Sequence, residues 1–249
     1  LFLITQGGIP FLDVSTGKVS RRFWEQHPEL PETSVADIFV DSSGRMWMSF
    51  FGWGVVMYDT QSGELTDYRN RPSGPASLPH FRVIDMFEDR EKRMFFTTEG
   101  SGVLQYDEEK DQFRRFTVEQ DGLLSDFCLN LAESPDGELV ITSYEGITFF
   151  DVESGESQNY TIHDNLPLSG IIEENGLFVA SDGEIFVGGI DGMVSFRKEE
   201  LRVLETDYNV YLSKLQINNE LIKARDETGV LDKELPFTSS IVLNHKQNN

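Results

Sequence analysis

The stretch Met94-Phe-Phe-Thr-Thr-Glu-Gly-Ser-Gly-Val-Leu-Gln-Tyr-Asp107 decides the fold, because the chain repeats its pattern. It is an apolar run closing on small hydroxyls, a glycine-broken turn, and a second apolar run ending in aromatic-Asp. The same pattern occupies residues 46–59, 139–151 and 185–196, and a clipped copy opens the chain at 1–13. Asp13, Asp59, Asp107 and Asp151 follow one another at intervals of 46, 48 and 44 residues. Periods of about 40 to 50 residues belong to propeller blades or to helical arrays.

The interior of the repeat separates those two. The copy around Met94 holds four short extended runs, at 83–88, 93–98, 103–106 and 112–116, divided by Asp-, Gly- and Glu-rich turns. Equivalent turns elsewhere read Asp41-Ser-Ser-Gly44, Pro135-Asp-Gly137 and Ser181-Asp-Gly183. Gly and Asn/Asp supply the positive-φ positions that tight hairpins need, and no repeat has room for a three-turn helix. The second run carries three consecutive apolar positions in every copy: Met46-Trp-Met48, Met94-Phe-Phe96, Leu139-Val-Ile141 and Ile185-Phe-Val187. Such a strand must be covered on both faces, as it is when sheets stack radially. The pattern predicts an all-β β-propeller, with a partial blade over 1–26 and four-stranded blades over about 30–70, 78–117, 123–161 and 166–200. A closed propeller of about seven blades needs roughly 300 residues at this period, so further blades are expected upstream. The open sheet faces of such an arc are expected to self-associate.

Beyond residue 201 the pattern changes. A connector leads to a strand-like run at 210–217, an Asn218-Asn219 turn, a second run at 220–223, and a third beginning at Ser240. Alternation around an Asn-Asn turn predicts the first strands of an Ig-like β-sandwich over 202–249.

The bulk properties exclude some functions. Against 21 Lys and Arg stand 43 Asp and Glu, a formal charge of −22 over 249 residues. That surface repels phosphate backbones and anionic lipid, which argues against nucleic-acid and membrane-surface partners. The lone Cys128 lies in an apolar run and reads as a small core residue. No stretch approaches about eighteen apolar residues, so membrane contact is expected only through a segment outside this chain.

The ordered repeats resemble a known family. Residues 78–89 and 93–107 are similar to the two-component-regulator propeller repeat, with a second copy from Leu30-Pro31 through Tyr58-Asp59. Residues 182–196 resemble the final repeat before a Y_Y_Y domain, and 210–219 with 241–249 resemble the start of that domain. The resemblance implies the extracytoplasmic, periplasmic sensor region of a bacterial hybrid two-component protein. It also implies an oligosaccharide ligand, homodimerisation through the full ectodomain, and a cytoplasmic kinase reached through a transmembrane helix. The chain departs from the repeat at Glu91-Lys92, where a turn glycine is expected, and at Phe50-Phe-Gly-Trp-Gly54, which is bulkier than the usual turn.

No catalytic constellation is visible. His27, His80, His163 and His245 are scattered and share no metal-ligand spacing with Cys128, and the Asp-Gly pairs lack the ladder of a calcium loop. The region is therefore expected to be non-enzymatic, with no cofactor and no metal. A propeller lyase or hydrolase acting on polysaccharide and a protein-docking propeller are the alternatives. Binding has better support. The turns joining second to third strands and the connectors joining successive blades emerge at one end of a propeller. There the chain places Phe51, Trp53, His80, Arg82, Glu99, Ser101, Tyr144, Glu145 and Asp191. Aromatic faces stack on sugar rings, and carboxylates bridge hydroxyls. Two alternatives stay open: that Phe51 and Trp53 pack between blades, and that Arg82 pairs with another blade's carboxylate.

Overall fold

Three apolar positions in a row are satisfied only if a sheet has an apolar neighbour on each side, and the blades are arranged accordingly. A computed structural model describes residues 10–20, 22–30, 34–68, 78, 82–161, 164, 166, 172–190, 192–201 and 211–244. The chain divides into two compact units, Leu1–Leu204 and Glu205–Asn249.

The first unit is a series of antiparallel meanders. After a two-stranded piece, β1 (Phe11–Asp13) and β2 (Lys18–Ser20), come three four-stranded sheets. Blade one is β3 (Val35–Val40), β4 (Arg45–Phe50), β5 (Gly54–Asp59) and β6 (Leu65–Asp67). Blade two is β7 (Val83–Glu88), β8 (Met94–Thr98), β9 (Val103–Asp107) and β10 (Gln112–Phe116). Blade three repeats the order with β11 (Cys128–Glu133), β12 (Leu139–Ser143), β13 (Gly146–Phe150) and β14 (Ser157–Thr161). Blade four has β15 (Ile172–Val179), β16 (Glu184–Gly189) and β17 (Gly192–Arg197). The four-stranded expectation for this blade, over about 166–200, is met by three strands among the described residues, where β17 is followed by a 3-10 turn at Lys198–Glu200. The opening copy at 1–9 lies outside them as well. Two short helices, α1 (Arg22–Gln26) and α2 (Val118–Asp121), sit in connectors where none was expected.

Each sheet shares a core with the next. Trp47 and Val55 of blade one pack with Val83, Met86, Met94, Phe96 and Leu104 of blade two. Phe95, Val103 and Phe116 of blade two meet Leu131, Leu139, Ile141 and Phe150 of blade three. Val140, Ile147 and Phe149 of blade three meet Ile185, Val187 and Phe196 of blade four. Trp47, Phe95 and Val140 are fully buried. Blade four departs from this: Phe186 is only partly buried, and Phe178 and Met193 are 63% and 70% exposed. Cys128 is buried, and burial pushes its thiol up to about 12, in keeping with a core role.

The aromatic-Asp that closes each third strand now has a cause. Asp13, Asp59 and Asp151 each accept backbone N–H groups two and three residues on, the geometry of an Asx turn. Those backbone donors hold Asp59 and Asp151 below their ordinary range, and the Ser15 hydroxyl does most to lower Asp13, to about 2. At the same end, buried Asp41 takes bonds from Arg45 Nε and from Trp47 Nε1 at 2.8 Å, while Asp89 takes one from Arg93 Nε. Arg45 then reaches Glu108 of the next blade at 2.8 Å, and Arg93 reaches Glu153.

A second inter-blade device runs along the first strands, which lie side by side. At a bulge in each strand sits Asp37, Asp85, Asn130 or Asn175. Asp85 accepts the Leu131 N–H of the next blade at 2.8 Å and Asn130 Oδ1 accepts the Gly176 N–H at 3.3 Å, while the Met86 N–H bonds Asp85 Oδ1 of its own blade at 2.8 Å. Asp85 and Asn130 thus each serve the residue after their counterpart one blade on. Desolvation raises the Asp37 carboxyl, and carries Asp85 up to about 6, with the Asp37 charge adding to the rise.

The second unit is a β18 (Leu215–Ile217)–β19 (Glu220–Ile222) hairpin turned by Asn218 and Asn219, both at positive φ, as the Asn-Asn signal predicts. Ile217, Ile222, Leu231 and Leu235 form its core. Two expectations are corrected. Residues 211–214 do not extend the first strand, and 240–244 form no strand. Among the described residues neither segment pairs with an edge, and a lone extended run has no ladder to complete.

The ladder predicts a pH signature. The native state holds the Asp85 proton between pH ~4 and ~6 where the unfolded chain has released it, so this group's contribution to stability falls as pH rises through that window, by up to about 3 kcal/mol. Asp85→Asn copies Asn130 and removes the titration. In urea melts its stability relative to wild type should climb between pH ~4 and ~6 and stay level above; a difference that does not change with pH would show that Asp85 does not titrate there.

Candidate functional site

In each blade the chain runs up the second strand and down the third, so the turns between them share one end with the connectors to the next blade. What each turn presents depends on where it must hold glycine. Gly102 and Gly146 open β9 and β13 at φ +72° and +152°, and a Cβ there would lie 1.9 Å from the Phe116 carbonyl oxygen and 2.1 Å from that of Tyr160. The outermost strand passes too close for any side chain. The residues just before these glycines carry the variation.

In blade one that variation is aromatic. Phe51 and Trp53 are 41% and 42% exposed and belong to none of the inter-blade cores. The Phe51 N–H bonds the Ser34 carbonyl at 3.1 Å and the Trp53 N–H that of Phe50 at 3.1 Å, which fixes the turn while its rings stand out.

In blade two the turn is moored to the following connector. The N–H groups of Gly100 and Gly102 both bond the Asp126 carbonyl, at 3.0 and 2.8 Å, and Glu99 bridges Phe127. Asp126 also accepts the Val118 N–H at the start of α2, a helix capped by Thr117 and ended by Gly122 in the left-handed conformation. Glu99 is exposed. Ser101 is not: it is buried, with its N–H on Thr98 Oγ1 at 3.0 Å, so the turn offers Glu99 and Gly100 in its place.

Blade three presents Tyr144, 49% exposed, and Glu145, also exposed. The Tyr144 ring lies 5.1 Å from that of Phe127, a connector residue that sequence reasoning passed over. His80 and Asp191 lie outside the described residues.

Arg82, at the foot of β7, draws these parts together. Its guanidinium carbon lies 4.5 Å from the centroid of Phe51 on blade one, and Nη2 donates to Glu174 Oε2 of β15 at 2.6 Å. Its carbonyl accepts the Glu99 N–H at 2.9 Å. One residue of blade two thus touches blades one and four. The pairing with another blade's carboxylate is realised, and its partner lies 92 residues away. Arg82 Nε is buried with no acceptor among the described residues; a donor left so costs about 1–3 kcal/mol.

Among the described residues no group of three or more His, Cys, Asp or Glu side chains converges to hold a metal. Of the buried titratable groups, Asp85 is occupied by backbone donors and the Cys128 thiol is held protonated. The arrangement offers half-exposed rings, carboxylates and one arginine, a set suited to holding a polar ring-bearing molecule. Gly102→Ala should lower stability by more than about 1 kcal/mol in urea denaturation, because both the backbone conformation and the Phe116 carbonyl oppose a Cβ; an unchanged midpoint would mean the strands part easily there.

No family model matches the chain. A curated protein similar to it is histidine kinase P4 of Formosa agariphila, 22% identical over 141 residues, which make up 56% of this chain and 10% of that protein. Among solved structures, the extracellular domain of BT4673 from B. thetaiotaomicron, named a one-component or hybrid two-component system, superposes with a TM-score of 0.62. That match is 16% identical and covers 85% of this chain and 26% of the other. The extracellular domain of the hybrid two-component system BT3049 from the same organism gives 0.61 at 15% identity, over 84% and 27%. These likenesses establish the β-propeller architecture. The chain spans about a quarter of those ectodomains and a tenth of the kinase.

Proposed function

We propose that this chain is a ligand-sensing module from the extracytoplasmic, periplasmic region of a hybrid two-component sensor histidine kinase, and that its ligand is an oligosaccharide. The observation that carries the reading is the gathering of half-exposed Phe51, Trp53 and Tyr144 with Glu99 and Glu145 at one end of the blades. These three rings each keep about half of their surface open to solvent, while Trp47, Phe95 and Phe149 are fully buried between sheets. Rings stack on sugar faces, and carboxylates take hydroxyl hydrogen bonds. The similarity to a histidine kinase and to two sensor ectodomains supports placing that binding in signalling.

The route to output follows from the way the chain leaves blade four. Arg197 bonds Asp182 through Nη2 at 2.8 Å, and Lys198 bonds Glu138 of blade three at 2.5 Å while lying 4.8 Å from the Phe149 ring. A cleft of about 170 Å³ lies beside them, between the turns at Pro135 and Gly183. The departing segment is therefore tied to two blades, so a shift between those blades redirects it. Ligand that favours one blade arrangement biases that direction, and a homodimeric ectodomain would pass the bias on as a population shift.

The test is a glycan-library binding screen on the intact protein, followed by Trp53→Ala against whichever oligosaccharide binds. Affinity should fall about tenfold or more with the melting temperature unchanged. Unaltered affinity by calorimetry would remove Trp53 from the site, and a screen without any binder would remove the carbohydrate reading.

A further inference from the structure

Arg82 is held in an incomplete set of interactions. A guanidinium carries five N–H donors in a planar fork suited to two parallel bonds with one carboxylate. Glu174 uses the fork at one point only, Nη2 to Oε2, and Nε, which borders the same edge, is buried without an acceptor among the described residues. The pair is not sealed from solvent: the Arg82 and Glu174 side chains are 25% and 34% exposed. On the other side the guanidinium lies over Phe51, a member of the aromatic set. Arg82 is thus partly satisfied among the described residues, reachable, and in contact with the surface on which a sugar would stack.

We propose that the ligand is an acidic oligosaccharide whose uronate carboxylate takes Arg82 from Glu174. This rests on the oligosaccharide reading above and deepens it. A planar carboxylate is able to engage Nε and Nη2 together, which Glu174, fixed on a strand of blade four, does not do. Capture needs Arg82 to swing outward, which frees Nε from its buried position and breaks the tie between blades two and four. Binding and rearrangement are therefore one event: the ligand's charge replaces Glu174, and blade four is released from blade two. Glu174, left unpaired, remains partly exposed and is able to hydrate. The strongly acidic surface sets a limit on the exchange. Only a ligand that also stacks on Phe51 or Trp53 would overcome the general repulsion of anions, which makes the site selective against simple carboxylates.

The experiment is calorimetric titration of the intact protein with a library of oligouronates, with the same library after methyl esterification, and with a sulfated galactan oligosaccharide. The oligouronates should bind, and the esters, with the same rings but no charge, should bind at least tenfold more weakly. Arg82→Lys keeps the charge without the fork and should lose about tenfold, and Glu174→Gln removes the competitor and should gain several-fold. Both variants should still melt in a single cooperative transition, which shows that any change in affinity is not unfolding. Neutral esters bound as tightly as the acids, or Arg82→Lys binding as wild type, would overturn the acidic-ligand inference while leaving oligosaccharide sensing intact. A sulfated galactan bound as tightly as the uronates would overturn the planar-fork argument. Failure of every acidic and neutral glycan to bind would remove the oligosaccharide reading and this inference with it.

Discussion

Every part of the first unit depends on one constraint: each sheet has two apolar faces and is stable only between two others. A single four-stranded sheet of this composition exposes Trp47, Phe95 or Val140 to water on one side and Met48, Phe96 or Ile141 on the other. At about 25 cal/mol per Å² of apolar surface, that exposure outweighs any gain from strand pairing alone. Stacking removes it, and it removes it repeatedly, which is why the sequence repeats. Polar contacts then set how the sheets meet. Arg45 and Arg93 bridge carboxylates of their own blade and the next at one end, and Asp85 and Asn130 join successive blades along the first strands. These contacts leave the turns at the other end free of packing duty, apart from the glycines that let the outermost strand pass.

That division of labour explains what could be read in the residues beforehand. The period, the strand count of blades one to three and the both-sided burial of the second strand are local patterns, and all are visible in the chain. The turn at Phe51–Trp53 was visible too, because bulk stands where small residues normally suffice. The arginine's partner was not. Glu174 lies two blades away from Arg82, and nothing in the sequence around Glu173-Glu-Asn175 marks it as a companion. Ser101 misled for the opposite reason: a serine in a turn reads as exposed, yet the double bond from Gly100 and Gly102 to Asp126 folds the turn over it. The carboxylate ladder was legible in principle, since Asp37, Asp85, Asn130 and Asn175 recur in register. What the register does not show is that Asp85 and Asn130 reach the neighbouring strand's backbone, which only the packing of first strands brings within reach.

The second unit shows where pattern and outcome part. The Asn218-Asn219 turn and its flanking apolar residues form the hairpin that the alternation calls for. The run after Ser240 has the composition of a strand and no described edge to join, so composition alone did not make one. A strand is a relation between two segments, and only one of the two can be read from a single stretch of sequence.

The ladder also gives the propeller a direction. Asp85 and Asn130 each serve a backbone N–H one blade further along. A blade on its own therefore carries a side chain whose intended partner has not yet been made. In a chain emerging amino end first, blade two is completed by blade three, and blade three by blade four, so assembly has a built-in order and a moving frontier. At that frontier stands a carboxylate still in water, and its desolvation waits on the arrival of the next strand. Neighbouring blades are in this sense unequal partners, one contributing the acceptor and the other closing the bond.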